Sequence, residues 1–177
     1  MLHLDMAVLD WIQVHLSGTL LDAVMPFVSA LGNGGVVWII LALVLLLSPK
    51  HRETGIAIAA ALALEVICCN LVLKPLVGRI RPCDVNTAVQ LLIPRPTDFS
   101  FPSGHTGAAF AAAGALFFRR NRLWLPVSIL AVLIAFSRLY LYVHYPTDVL
   151  AGALLGIMAG WMGVMLSKQL RKVFHAL

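Results

Sequence analysis

The sequence predicts an all-α fold: a multi-pass transmembrane helix bundle of about five spans, with an amphipathic N-terminal helix at the membrane interface. Three observations predict it. Of the 177 residues, 60% are hydrophobic and the mean hydropathy is +0.92, which is more apolar than soluble domains. The apolar residues fall in runs close to the roughly 20 that a helix needs to cross the hydrocarbon core. Short loops between those runs hold nearly all of the charge.

The N-terminal segment, residues 1–29, opens with MLHLDMAVLD. It lacks the basic start of a secretory signal and carries Asp5 and Asp10, so it is expected to stay on the protein. Leu2, Met6, Leu9, Ile12 and Leu16 recur at helical spacing, as in a helix lying in the interface, and Ser17 and Gly18 then break the pattern. A second reading, in which residues 4–31 form one irregular span, stays open on length. The membrane domain, residues 30–177, is expected to hold spans at 30–48, 55–72, 103–118, 123–143 and 149–167. On the last of these, Gly152, Gly156 and Gly160 repeat every four residues, a small-residue face suited to close contact with the alanine-rich run at 107–115.

Charge orients the bundle. Counting spans puts eight cations on one face: Lys50, Arg52, Arg119, Arg120, Arg122, Lys168, Arg171 and Lys172. By the positive-inside rule that face is cytoplasmic. The opposite, extracytoplasmic face receives Asp5, Asp10, Asp22, the loop at 75–102 and the turn VHYPTD, with five cations, Lys74, Arg79, Arg81, Arg95 and Arg138. His105, His144 and Asp148 lie on the same face. Because the basic residues are loop residues of a membrane protein, the pI near 9.5 speaks of topology and not of nucleic acid, which is not an expected partner. Cys68, Cys69 and Cys83 offer no disulfide framework, and the first two read as small packing residues inside a span.

Three clusters on the outer face carry chemistry: KPLVGRIRP at 74–82, PSGH at 102–105 and SRLYLYVHYPTD at 137–148. A phosphoryl group in transfer spreads negative charge over three oxygens and calls for fixed cations and N–H donors. Lys74, Arg81 and Arg138 supply the cations; arginine grips phosphate through two N–H groups, lysine as a point charge. Ser103 and Gly104 open the span at 103–118 with a hydroxyl and backbone N–H groups at a helix N-terminus, which favours anions. His144 and Asp148, four residues apart across a proline turn, allow a carboxylate to take the Nδ1 proton and leave Nε2 free to attack phosphorus. His105 then protonates the departing oxygen and activates the water that follows.

Written as K-x6-R-P, P-S-G-H and S-R-x5-H-x3-D, these clusters resemble the motifs of the type 2 phosphatidic acid phosphatase superfamily, and the resemblance covers residues 30–167. It implies a phosphohistidine intermediate on His144, later hydrolysed by water, with no metal or other cofactor. It also implies a lipid phosphate as substrate, held in the cell membrane with the active site facing the extracytoplasmic side. Undecaprenyl diphosphate is the expected lipid. Phosphatidylglycerophosphate or phosphatidic acid is the alternative substrate, a phospholipid transporter or flippase the alternative of another class, and a vanadate-binding peroxidase a third that the spans argue against. Oligomeric state is not read from the sequence. Arg79 and Arg95 stay open between gripping a second phosphate or head group and anchoring a loop. Glu65, alone among apolar residues in mid-span, is read as protonated or paired, with Asn70 as one partner, or as part of a proton path.

Overall fold

The computed structural model describes residues 2–174. Met1 of the predicted N-terminal segment and residues 175–177 of the predicted membrane domain lie outside the described residues, as do the side chains of Leu2, Lys172, Val173 and Phe174. All regular secondary structure among the described residues is helical.

Helix α1 (Leu2–Leu16) ends where Ser17 and Gly18 interrupt it. It buries Leu9, Ile12 and Asp5 against the protein and turns Leu4, Val8, Trp11 and Val14 outward. Helix α2 (Thr19–Leu31) leads through a short 3-10 turn, Asn33–Gly35, into α3 (Val36–Leu47). The span expected at 30–48 therefore begins across a break, and the helical segments on its two sides, Thr19–Leu31 and Asn33–Leu47, meet at 43°. Gly34 and Gly35 take φ values of 58° and 67°, a left-handed conformation that side chains disfavour and glycine allows.

Helix α4 (Arg52–Glu65) continues through a π-helical stretch, Val66–Leu73, into α5 (Lys74–Val77), which delivers Lys74 to the end of the run before Gly78 turns the chain. After the short α6 (Pro82–Val85) an irregular loop reaches Ser103, which sits at the N-cap of α7 (Gly104–Phe118). Helix α8 (Trp124–Tyr140) runs back, and α9 (Pro146–Phe174) starts on a proline, whose fixed φ suits a first helical turn. With 29 residues, α9 is about 43 Å long at 1.5 Å per residue. Among the described residues, two helical runs, Arg52–Val85 and Pro146–Arg171, are long and apolar enough to cross a membrane, or three if the bent pair α2–α3 counts as one; α8 is apolar but shorter.

Helix α7 sits at the centre, its alanines at 108, 109, 111, 112, 113 and 115 buried beneath α4, α8 and α9. The glycine repeat on α9 meets this face: Gly152 lies on the Ser103 carbonyl, Gly156 on that of Gly107, and Gly160 on Ala111 and Ala115. Backbone contact at this range requires small residues from both helices. A second cluster joins Leu9, Ile12 and Met25 to Cys83, Tyr140, Leu141, Tyr142, Val143 and Tyr145. It seats α1 and α2 on the turn that carries His144. The outer surface is largely apolar, with Leu43, Val44, Leu47, Ile129, Val132, Leu150 and Leu154 exposed, as a bilayer environment demands.

Candidate active site

The three motif clusters converge because each sits at the same end of its helix. Lys74 lies in the last turn of the α4–α5 run, Arg81 immediately precedes α6, Gly104 and His105 open α7, Arg138 lies in the last turn of α8, and His144 precedes α9. Lys74, Arg81, Gly104, His105, Arg138 and His144 line one cavity of about 560 Å³, with Arg95 on its wall. Arg81 and Arg138 are buried. Asp98 answers part of their charge, bonding Lys74 and, at 2.7 Å, Arg81 Nη2. Burial works to raise the Asp98 pKa, but the two cations win and hold its carboxyl well below the usual carboxylate range. The Arg138 guanidinium reaches Ser29 of α2.

The imidazole of His144 is 1% exposed. Arg81 Nη1 lies 3.1 Å from its Nε2 and 2.6 Å from the Val143 carbonyl. Arginine can only donate, so Nε2 presents its lone pair and the ring proton sits on Nδ1. Nδ1 in turn faces Asp148 Oδ2 at 3.5 Å. This is the tautomer a nitrogen nucleophile needs. Burial, reinforced by Arg81 and Arg138 and opposed by Asp148, pushes the His144 pKa down to about 3, so the ring is neutral near pH 7.

On the far side of the cavity, His105 Nε2 donates to Asn33 Oδ1 at 2.9 Å, and the same edge of the ring lies over Gly32. Asn33 thereby fixes Nε2 as a donor, and His105 becomes an acid only when both ring nitrogens carry protons. Together with Lys74, Asp98 and Gly104 it also lines a second cavity of about 260 Å³, walled by Ile39, Leu62, Val66 and Ala108. His105 therefore stands, with Lys74, Asp98 and Gly104, in the wall that this mostly apolar cleft shares with the larger cavity.

Residues 54–172 match the model of the PAP2 superfamily. The chain belongs to that superfamily. Among curated relatives, the undecaprenyl-diphosphatase of Sulfolobus acidocaldarius is 33% identical over 147 residues, covering 82% of this chain and 70% of the relative. The lipid A 4'-phosphatase of Bacteroides thetaiotaomicron is 33% identical over 158 residues, covering 81% and 70%. Among solved structures, Aquifex aeolicus LpxE superposes with a TM-score of 0.79 at 30% identity, over 92% of this chain and 95% of that one. The protein is thus a phosphatase of the PAP2 membrane lipid phosphatase family, and the clusters at 74–82, 102–105 and 137–148 all lie within the matched segment.

Three other residues of this PAP2 phosphatase that the sequence singled out, Ser103, Asp148 and Arg79, lie around the cavity and not in its wall. Ser103 is fully buried; its N–H donates to the Asp148 carbonyl at 3.1 Å and its Oγ accepts from Thr106 Oγ1 at 3.0 Å. Asp148 is fully buried behind His144 and receives Arg79 Nη1 at 2.5 Å on Oδ1, and Ser100 Oγ at 2.5 Å and the Tyr145 N–H at 3.0 Å on Oδ2. Arg79 bonds Asp148 and Asp5 and does not line the cavity. Arg95 bonds Asp84 and the Cys83 carbonyl while facing the cavity.

Glu65 packs on Gly107 and lines the apolar cleft, with no hydrogen-bond partner at Oε1. Asn70, its expected partner, lies instead beside Gly104. Asn33, Asp98 and Ser100 are functional neighbours that sequence reasoning missed. The run Asn33-Gly34-Gly35 carries a turn signal that could have pointed to the first; nothing local distinguishes the other two.

Proposed function

We propose that this PAP2 phosphatase hydrolyses a lipid diphosphate, undecaprenyl diphosphate, to the lipid monophosphate and inorganic phosphate at the extracytoplasmic face of a bundle of about five spans. One observation carries the reading: a cavity walled by three cations and two histidines shares His105, Lys74, Asp98 and Gly104 with a mostly apolar cleft. A phosphate fits the first and the lipid end the second, so the scissile bridging oxygen passes beside the acid. Room for a second phosphate, which with its few heavy atoms needs only a small multiple of the ~30 Å³ of a water, together with Arg95 on the wall, supports a diphosphate. So does the name of the Sulfolobus relative.

The chemistry follows from the tautomers. The His144 Nε2 lone pair forms a bond to phosphorus, the bond to the bridging oxygen breaks, and His105, entering the step as imidazolium, gives that oxygen a proton and is left neutral. Asp148 faces the Nδ1 proton and steadies the positive charge the ring acquires. Lys74, Arg81 and Arg138 hold the phosphoryl oxygens, joined by the N–H groups at the start of α7. Water then attacks phosphorus and yields a proton to His105, the phosphorus–nitrogen bond breaks, and phosphate leaves. No step in this sequence calls on a metal.

One observation favours phosphatidylglycerophosphate or phosphatidic acid as the substrate. The apolar cleft bears the Glu65 carboxyl, and Lys74 is the sole cation lining it among the described residues, an uninviting seat for a leaving group that is itself a phosphate. Phosphate release by detergent-purified protein, with EDTA present, decides between them on a panel of undecaprenyl diphosphate, phosphatidylglycerophosphate and phosphatidic acid. The largest kcat/KM is expected for the diphosphate. Preference for a monoester overturns the substrate, and release from none of the three overturns the phosphatase reading.

A further inference from the structure

Asp5 lies outside the segment that matches the family model, yet it is 4% exposed and reaches the catalytic turn. Its Oδ2 accepts from Arg79 Nη2 at 2.7 Å and from Thr147 Oγ1 at 2.7 Å, and its Oδ1 from the Thr147 N–H at 3.2 Å. The other end of the same guanidinium, Nη1, donates to Asp148 Oδ1 and to Thr147 Oγ1. The Tyr145 ring covers its face at 3.9 Å. Arg79 is therefore a fixed bridge between two carboxylates, one on the N-terminal helix and one behind the nucleophile.

We propose that Asp5 is a positioning residue for the phosphoryl-transfer step, acting through Arg79 on the place and basicity of Asp148. The inference rests on the reading of His144 and Asp148 as the nucleophile and its orienting carboxylate. Asp148 meets His144 through Oδ2, and Oδ1 is tethered to Arg79; whatever moves the guanidinium rotates the carboxylate. Asp5 also divides the positive charge of Arg79 between two anions. Without that division the full charge falls on Asp148, which becomes a weaker acceptor for the Nδ1 proton as His144 gains positive charge. A purely structural role for Asp5 is not needed to seat α1. Leu9 and Ile12 are buried beneath it, Gln13 donates to the Tyr140 carbonyl at 2.6 Å, and Asp10 accepts from the Tyr142 hydroxyl at 2.6 Å.

The test is a double-mutant cycle on the full-length protein in detergent, using whichever lipid phosphate the wild type turns over. Substrate choice is thus judged by wild-type turnover, and the present inference by ratios among variants. Single-turnover phosphorylation of Asp5→Asn is expected to slow by about tenfold, the low end of what losing an orienting partner behind a functional group costs, while KM and inhibition by orthophosphate stay within about twofold. Asp5→Glu, which keeps the charge, is expected to restore most of the rate. In an Arg79→Gln background the Asp5→Asn loss should vanish, because the bridge is already gone.

Multiplying losses would overturn the proposal, since Asp5 would then act independently of Arg79. A wild-type rate in Asp5→Asn, or a loss expressed in KM alone, would overturn it equally. Should Asp5→Asn fail to fold, Arg79→Lys takes its place. A lysine cannot hold both carboxylates in one plane, so the same rate-only loss is expected, and an unchanged rate would refute the bridge.

Discussion

Substituting Gly152 by alanine tests whether the seam between α7 and α9 sets the geometry of the site. The new methyl would stand 2.6 Å from the Ser103 carbonyl oxygen and 3.3 Å from Thr106 Cβ, where ordinary contact begins at 3.4 Å, so the helices must part by roughly 0.8 Å. The obstacle is backbone, which no rotamer change relieves. Overpacking of this kind costs about 1–3 kcal/mol.

The displacement also falls on the site, because α7 carries Gly104 and His105 whereas α9 carries Asp148, and the Ser103 N–H to Asp148 carbonyl bond joins them. A misplacement of about 1 Å can cost on the order of a hundredfold in rate. Gly160→Ala is the control: its methyl would meet Ala115 N at 2.7 Å and Ala111 O at 2.9 Å, a comparable strain, but about 12 Å farther along the helix at 1.5 Å per residue. Thermal unfolding in detergent should show similar losses for both variants, and kcat should fall by one to two orders of magnitude in Gly152→Ala alone. Equal kcat values in the two variants would refute the link between seam and site.

Three further outcomes follow from the same geometry. His105→Ala should slow phosphoenzyme formation more with phosphatidic acid, whose alkoxide leaving group needs a proton, than with undecaprenyl diphosphate, whose leaving phosphate is a weaker base; equal losses in single turnover would mean that His105 is not chiefly a leaving-group acid. His144 is held neutral down to about pH 3 but takes a proton near 6.5 when unfolded. Its contribution to stability is thus full above that value and falls as pH drops below it, by up to about 1.4 kcal/mol per pH unit. Melting temperature should therefore decline between pH 6.5 and 4.5 more steeply in wild type than in His144→Asn, and parallel declines would contradict the assignment. A cysteine near Pro94 should react with an impermeant reagent outside intact cells and one near Asn121 should not, the reverse pattern overturning the orientation.

Helix ends were legible because they follow from local chemistry. Ser17 and Gly18 stop α1, and Ser103 sits at the N-cap of α7. The clustering of Lys74, Arg81, His105, Arg138 and His144 was legible as well, since residues at the same end of antiparallel apolar helices must share a face. The break before Val36 was not, because hydrophobicity runs through 30–48 and only two glycines mark the turn.

The same limit applies to Asp98. Two buried cations require an anion, but which loop carboxylate provides it depends on how the chain between Pro82 and Ser103 folds back, and no periodicity records that. Asp5 is the strongest case. As one of several aspartates on the outer face it carried no chemical signal, and its role depends on α1 lying across the turn at 141–145. Glu65 was visible as an anomaly from the start, and it stays one in the structure, with Oε1 unpartnered against Gly107.

The central claim is that His144 accepts the phosphoryl group. Acid and alkali treatment of protein quenched during turnover of a lipid substrate labelled on its phosphate, with EDTA present, tests it most directly. The label is expected to remain on the wild-type chain in alkali, to be lost in acid, to map to the peptide containing His144, and to be absent from His144→Ala together with turnover. A His144→Ala protein that still releases phosphate at the wild-type rate, or a label that maps to another residue, would contradict it.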